Sequence, residues 1–274
     1  MTKTYAVVGD PIDHSLSPNI HTAAFKALNM DCVYIACKIL KDDLDASLGA
    51  LKEIQISGFN VTIPHKISIM KYLDETDESC SVIGAANTIV INDDKTLRGY
   101  NTDMDGFLEP FKKKNLPIKD SNVLLLGAGG AARAIVAAFA KECAGHISIA
   151  NRNIANAESL SEFSKTLGLK ATPFLLDDVK DSAKEYNIIV NATPIGLKNE
   201  PSPISFEGIG KDTIVYDIVY LPMNTDFIWQ AREKKATIIY GYEMLLGQAC
   251  RSFEIWHDMV APYNAMKRSL LGGV

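Results

Sequence analysis

Apolar residues fall along the chain in two alternating rhythms. Short runs such as "TYAVVG", "CVYIACK" and "GFNVTI" are rich in β-branched and aromatic residues and end at Gly, Asp or Pro, which is the pattern of buried strands. Between them lie stretches with apolar residues three and four apart, one starting at Pro18 and one at Asp42, and these predict helices. Strand and helix in alternation imply a sheet with parallel strands. Two more extended runs, "NTIVIND" and "TLRGYNT", flank Asp93-Asp94-Lys95, which reads as a hairpin tip completing the first sheet.

The same rhythm then starts again. A helix is predicted over 103–115, closing on Lys112, Lys113 and Lys114, cations that suit a helix C-terminus. After it "NVLLLGAGGAARAIVAAFA" opens a second strand–helix series, with later strands at "HISIAN", "KATPFL", "NIIVNAT", "DTIVYDI" and "ATIIYG". The expected architecture is α/β with two lobes and a cleft between them: residues 1–102, residues 103–241, and a C-terminal helical part, 242–274, packing back on the first lobe. The final long helix is expected from Glu243 to about Ala261, with Leu246, Cys250 and Phe253 on its apolar face.

Composition removes several kinds of partner. A formal net charge of −5 provides no basic field for nucleic acid. No apolar run reaches the ~18 residues needed to span a bilayer, and the N-terminus lacks the apolar core of a signal peptide. Five scattered cysteines with no Cys-x-x-Cys, and histidines without ligand spacing, fit a reduced, metal-free cytoplasmic protein. A monomer or homodimer acting on a small molecule is the expectation.

Candidate chemistry concentrates at a few places. Gly127, Gly129 and Ala132 form G-x-G-x-x-A between an apolar strand and an alanine-rich helix. There the first glycine permits the turn, the second admits a pyrophosphate, and the small third residue allows close packing. Gly127, Ala128, Gly129, Gly130 and Ala131 would line a dinucleotide at the helix N-terminus, which makes the second lobe a doubly wound, Rossmann-type domain. The next strand ends at Asn151-Arg152, where an NAD-specific site usually presents a carboxylate. An arginine there favours a 2′-phosphate, hence NADP. Ser15 and Ser17 precede a helix-starting Pro18; their hydroxyls can seat a small carboxylate, and Ser17 can equally serve as an N-cap. Lys66, just past the strand that ends at Pro64, can be solvated, hold a phosphate or pass protons.

Taken together, S-x-S-P at 15–18, "NVTIPHK" at 60–66, "GAANT" at 84–88, "GYNTD" at 99–103, "GAGGAARA" at 127–134, "NATPIG" at 191–196 and "GYEMLLGQA" at 241–249 resemble shikimate dehydrogenase, nearly end to end and in order. The resemblance implies an N-terminal substrate-binding domain and an NADP-binding domain. It implies reversible NADPH-dependent reduction of 3-dehydroshikimate to shikimate in aromatic amino-acid precursor synthesis, with Lys66 and Asp103 as the catalytic pair. It assigns Ser15 and Ser17 to the substrate carboxylate and Thr62, Asn87, Tyr220 and Gln248 to the ring or its hydroxyls. It assigns Asn151, Arg152, Asn153, Thr193, Ile218 and Gly241 to the cofactor, with Glu78 as a looser match. Two positions depart from the NADP-selective pattern, because Asn153 and Asn156 stand where Thr and a second Arg are common. Weaker NADP discrimination is therefore expected. The rival readings are a quinate/shikimate dehydrogenase using NAD or NADP, and a non-catalytic dinucleotide sensor.

Overall fold

The computed structural model describes residues 2–272, which divide into two compact units. The first comprises the chain up to Gly106 together with the part from Leu246 on; the second runs from Phe107 to Leu245.

In the first unit, β1 (Lys3–Gly9), β2 (Cys32–Lys38), β3 (Ile56–Val61), β4 (Glu75–Thr76), β5 (Thr88–Ile91) and β6 (Leu97–Tyr100) form one sheet in the order β2-β1-β3-β5-β6-β4. β1 pairs parallel with β2 and β3, as the strand–helix alternation predicts, through α1 (Ser17–Ala27) and α2 (Leu44–Glu53). β5 and β6 form the expected antiparallel hairpin, Ile91 opposite Leu97. The sheet is mixed because β5 also runs antiparallel to β3. β4 and the short α3 (Glu78–Ile83) escape a reading by period, since neither is long enough to repeat one.

In the second unit, β7 (Asn122–Leu126), β8 (His146–Asn151), β9 (Ala171–Leu175), β10 (Ile188–Asn191), β11 (Ile214–Asp217) and β12 (Thr237–Ile239) form an all-parallel sheet. Their order is β12-β11-β10-β7-β8-β9, so the winding reverses between β7 and β10. That is the crevice where open α/β sheets take their ligands. The intervening helices include α5 (Gly130–Lys141), α6 (Ile154–Thr166) and α7 (Asp226–Glu233). On α5, fully buried Ala132, Ala134 and Ala138 let the helix lie close to the strands.

Two helices run from one unit into the other. α4 (Asp103–Lys113) leaves the first unit and α8 (Gly241–His257) returns to it, followed by α9 (Tyr263–Leu271). α8 stops four residues before the expected Ala261, because Asp258 takes a left-handed φ of 50°, a conformation that ends helices. Its Leu246, Ala249 and Phe253 are fully buried, and burying an aromatic ring such as Phe253 contributes about 1.5–3 kcal/mol. The Trp256 indole donates to the Ile89 carbonyl at 3.0 Å. Gly58 makes this possible: a Cβ there would come 2.5 Å from the indole nitrogen and 2.8 Å from the Ile89 oxygen.

Candidate active site

Lys66 is placed by a sequence of local constraints. β3 ends at Val61, a cis Ile63–Pro64 bond follows, and the buried His65 ring bonds the Ile39 carbonyl at 2.7 Å. The Lys66 carbonyl then accepts the Ala86 N–H at 2.9 Å, which ties this turn to the "GAANT" segment. The Lys66 ammonium lies 2.5 Å from Asp103 Oδ2, with side-chain exposures of 17% and 7%. Asp103 starts α4, where the helix N-terminus favours a carboxylate.

The other oxygen of Asp103 is also held. Asn87 Nδ2 donates to Asp103 Oδ1 at 2.9 Å and to Thr102 Oγ1 at 3.0 Å. Asn87 Oδ1 accepts the Thr102 backbone N–H at 2.7 Å; since that group can only donate, the orientation of the amide is fixed. Behind it lies a buried polar cluster that sequence reasoning missed: Asn60, Thr88, Thr102 and Ser252. Asn60 sits inside the apolar strand "GFNVTI", and an isolated polar residue there is the only signal that could have exposed it, since a buried amide needs partners.

Ser15 and Ser17 stand together at the start of α1, and the Ser17 N–H donates to Ser15 Oγ at 3.3 Å. The N-cap position falls on Leu16 and carries no side-chain cap bond. The Ser17 hydroxyl is therefore not spent on capping. Thr62 follows β3, and Gln248 lies on α8 one turn before Ser252. Tyr220 follows β11 in the second unit, and burial raises its phenol above the usual range. Glu78 is an exposed residue in the first turn of α3.

The second unit has its own cavity at the reversal of strand order. About 190 Å³ in volume, it is lined by Gly127, Ala128, Gly129, Asn151, Arg152, Asn156 and Thr193 among others. Gly127 has φ of +105°, and a Cβ on it would meet the Ala192 carbonyl oxygen at 2.8 Å. At Gly129 and Gly130 the same addition meets nothing within 4 Å, so the space over the α5 N-terminus is open to a phosphate. Arg152 and Asn156 are exposed, whereas Asn153 is occupied as the α6 N-cap, accepting from the Ala155 N–H at 3.0 Å.

A buried acid fixes the loops on the far side of this crevice. Asp217, at the end of β11, accepts from Thr225 Oγ1 at 2.5 Å, Asn191 Nδ2 at 2.9 Å and the Val219 N–H at 3.0 Å. Burial pushes its carboxyl up to about 6, against the pull of those three donors. Asn191 in turn accepts from the Thr193 hydroxyl and N–H, and its carbonyl accepts the Ile218 N–H at 3.0 Å. Gly241 opens α8.

Three family models match the chain: shikimate dehydrogenase substrate binding domain over residues 7–89, shikimate / quinate 5-dehydrogenase over 111–197, and shikimate 5'-dehydrogenase C-terminal domain over 241–271. Shikimate dehydrogenase (NADP(+)) of Nitrosopumilus maritimus is 70% identical over 273 residues, covering 100% of both chains. The chain belongs to the shikimate dehydrogenase family. Among solved structures, the family member from Thermus thermophilus in complex with NADP(H) and shikimate aligns with a TM-score of 0.88 at 32% identity, covering 99% of this chain and 100% of that one. The Listeria monocytogenes shikimate 5-dehydrogenase in complex with shikimate and NAD gives 0.90 at 33% identity, covering 98% and 96%. Among the described residues no helix is long and apolar enough to cross a membrane.

Proposed function

We propose that this family member is an NADP-dependent shikimate dehydrogenase, reversibly reducing 3-dehydroshikimate to shikimate, with Lys66 and Asp103 as the proton-transferring pair. The 2.5 Å ion pair, largely withdrawn from water, is the observation that carries the assignment. When bound over Gly127 and Gly129, NADPH would supply the hydride for reduction and NADP+ would accept it in the reverse direction. Hydride addition to the ketone carbon leaves an alkoxide oxygen that must gain one proton. The Lys66 ammonium donates that proton and stabilises the charge as it develops. The resulting amine is neutral, and Asp103 keeps it oriented until a proton returns. In oxidation the proton moves from the alcohol to that amine.

The remaining roles are part of the same proposal. Ser15 and Ser17 receive the carboxylate. Thr62, Asn87 and Gln248 meet ring hydroxyls, for which they offer donors and acceptors, and Tyr220 is a further candidate. The first unit is the substrate-binding body and the second the dinucleotide-binding one. Gly127 through Ala131 seat the pyrophosphate and Arg152 meets the 2′-phosphate, with Asn151, Asn153, Thr193, Ile218, Gly241 and Glu78 as the further cofactor candidates. The five cysteines are free, which supports a cytoplasmic enzyme.

A cofactor-absorbance assay crossing NADP and NAD with shikimate and quinate tests the reading. Quinate carries an extra tertiary hydroxyl on the carbon bearing the carboxylate, next to Ser15 and Ser17. A polar group buried there without a partner costs about 1–3 kcal/mol, so shikimate should exceed quinate roughly ten- to a hundredfold in kcat/KM. Equal values for the two acids would move the enzyme to the quinate/shikimate branch.

A further inference from the structure

Ser252 lies on α8 and is fully buried, far along the chain from Lys66 and Asp103. The hydroxyl donates its single proton to the Gln248 carbonyl at 2.9 Å. The Ser252 oxygen then has two lone pairs for the donors within reach, Thr88 Oγ1 at 2.8 Å, Asn60 Nδ2 at 3.0 Å and Thr102 Oγ1 at 3.2 Å.

Asn60 Nδ2 has two hydrogens and three acceptors at 3.0 Å, namely the Asn87 carbonyl, Thr88 Oγ1 and Ser252 Oγ. It stays satisfied without Ser252. Thr88 and Thr102 do not share that margin. Besides Ser252 and one another, the acceptor within reach of each hydroxyl is Asn87 Oδ1, at 3.2 Å from both. That oxygen is already engaged by the Thr102 N–H at 2.7 Å. Ser252 offers the two threonine protons an acceptor other than Asn87 Oδ1, so the Thr102 N–H keeps its short bond to that oxygen and the amide stays oriented with Nδ2 toward Asp103.

We propose that Ser252 is a positioning residue for the reaction: as a buried acceptor it fixes the Thr88–Thr102–Asn87 network, and through Asn87 it holds Asp103 against Lys66. The same hydroxyl anchors the α8 turn that presents Gln248, so one residue of the C-terminal helix sets two parts of the site. A serine that merely bonds the carbonyl four residues back is the alternative. The bonds to Thr88, Thr102 and Asn60 separate the two, because back-bonding requires none of them.

The test uses Ser252→Ala and Ser252→Cys, the second keeping most of the volume while offering a poor acceptor, each alone and combined with Thr88→Val. Ser252→Ala should lower shikimate kcat/KM by about 3- to 30-fold, chiefly in kcat, with the NADP dissociation constant changed by less than about twofold. Ser252→Cys should match it. In the Thr88→Val background the further loss should shrink, since the hydroxyl that needs Ser252 is gone. Wild-type kcat/KM in Ser252→Ala, full activity in Ser252→Cys beside an impaired Ser252→Ala, or strictly additive losses with Thr88→Val would each overturn the proposal. The inference rests on Lys66 and Asp103 being the proton-transferring pair, so Lys66→Ala is assayed alongside. Normal turnover in Lys66→Ala removes the pair itself, whereas an inactive Lys66→Ala beside an unaffected Ser252→Ala removes only the role of Ser252.

Discussion

Lys66 and Arg152 are both cations assigned to a ligand, and they are held in opposite ways. Lys66 is mostly withdrawn from water, 2.5 Å from Asp103, whose second oxygen is held by Asn87. Arg152 stands exposed at the rim of the cavity over Gly127 and Gly129. The cost of desolvating Lys66 is offset within the fold by its carboxylate partner and the network behind it. An exposed guanidinium instead gains its partner only when a phosphate arrives. The first arrangement suits a step where charge must develop in fixed geometry, the second a step where a ligand must come and go.

The largest loss is expected at the Gly127 turn, which lines the cavity of the second unit. Gly127→Ala forces a side chain into φ of +105° and against the Ala192 carbonyl. Strain of this kind costs about 1–3 kcal/mol before the clash is counted, and relieving it displaces the turn from the phosphate-binding position, so NADPH affinity by fluorescence titration should fall roughly a hundredfold. The first unit should keep its thermal transition. Unchanged NADPH affinity would mean that this turn does not seat the pyrophosphate.

Arg152→Ala should have a narrower effect. A charge-assisted hydrogen bond contributes about 1.5–3 kcal/mol, so NADP should weaken roughly ten- to a hundredfold while NAD hardly changes. Because the group is exposed, added salt should erode the NADP preference of the unmodified enzyme, and it should leave kcat nearly alone. Equal losses for the two cofactors would show that Arg152 acts on adenine or on loop structure. Placing Arg at Asn156, which lines the same cavity, should sharpen the preference.

The smallest effect concerns acid. His21 is fully buried, stacks on Tyr34 with ring centroids 4.5 Å apart, and has no hydrogen-bond partner on either nitrogen among the described residues. Phe25 and Trp256 also face it, and His257 is the titratable group whose charge acts on it. Burial, with a smaller contribution from His257, lowers the His21 pKa to about 3. The folded state thus keeps the ring neutral while the unfolded chain protonates it near 6.5. Stability from this group is complete above that value and is lost as pH falls from it toward 3, by about 1.4 kcal/mol per pH unit. His21→Phe should therefore narrow the stability difference between pH 7 and pH 5 by about 2 kcal/mol in urea unfolding. An unaltered difference would show that His21 is protonated at no such cost.

What the sequence made legible follows from how far each signal reaches. G-x-G-x-x-A with its strand and helix is local, so a ligand crevice at the start of α5 could be anticipated from Gly127, Gly129 and Ala132 in that setting. Arg152 was legible for the same reason, one strand further on. The Lys66–Asp103 pair joins residues on different elements, and only resemblance brought them together. Ser252 and Asn60 gave no such sign: one looks like an ordinary helix serine, the other is a single amide in an apolar strand. Their meaning depends on the packing of α8 against β3 and β5, which no periodicity encodes. The end of α8 at Asp258 was hidden similarly, because a non-glycine residue in a left-handed conformation leaves little mark in sequence.

On the proposed roles, the largely buried Lys66 moves a proton and the exposed Arg152 binds a phosphate. Lys66→Ala tests this most directly, with kcat for shikimate oxidation and the NADP dissociation constant measured on the same preparation. The expected result is kcat lower by about 10²–10⁴-fold, the usual loss for a general acid or base, with NADP affinity nearly intact. Normal kcat with only a raised shikimate KM would contradict it, making Lys66 a binding residue and placing the proton relay elsewhere.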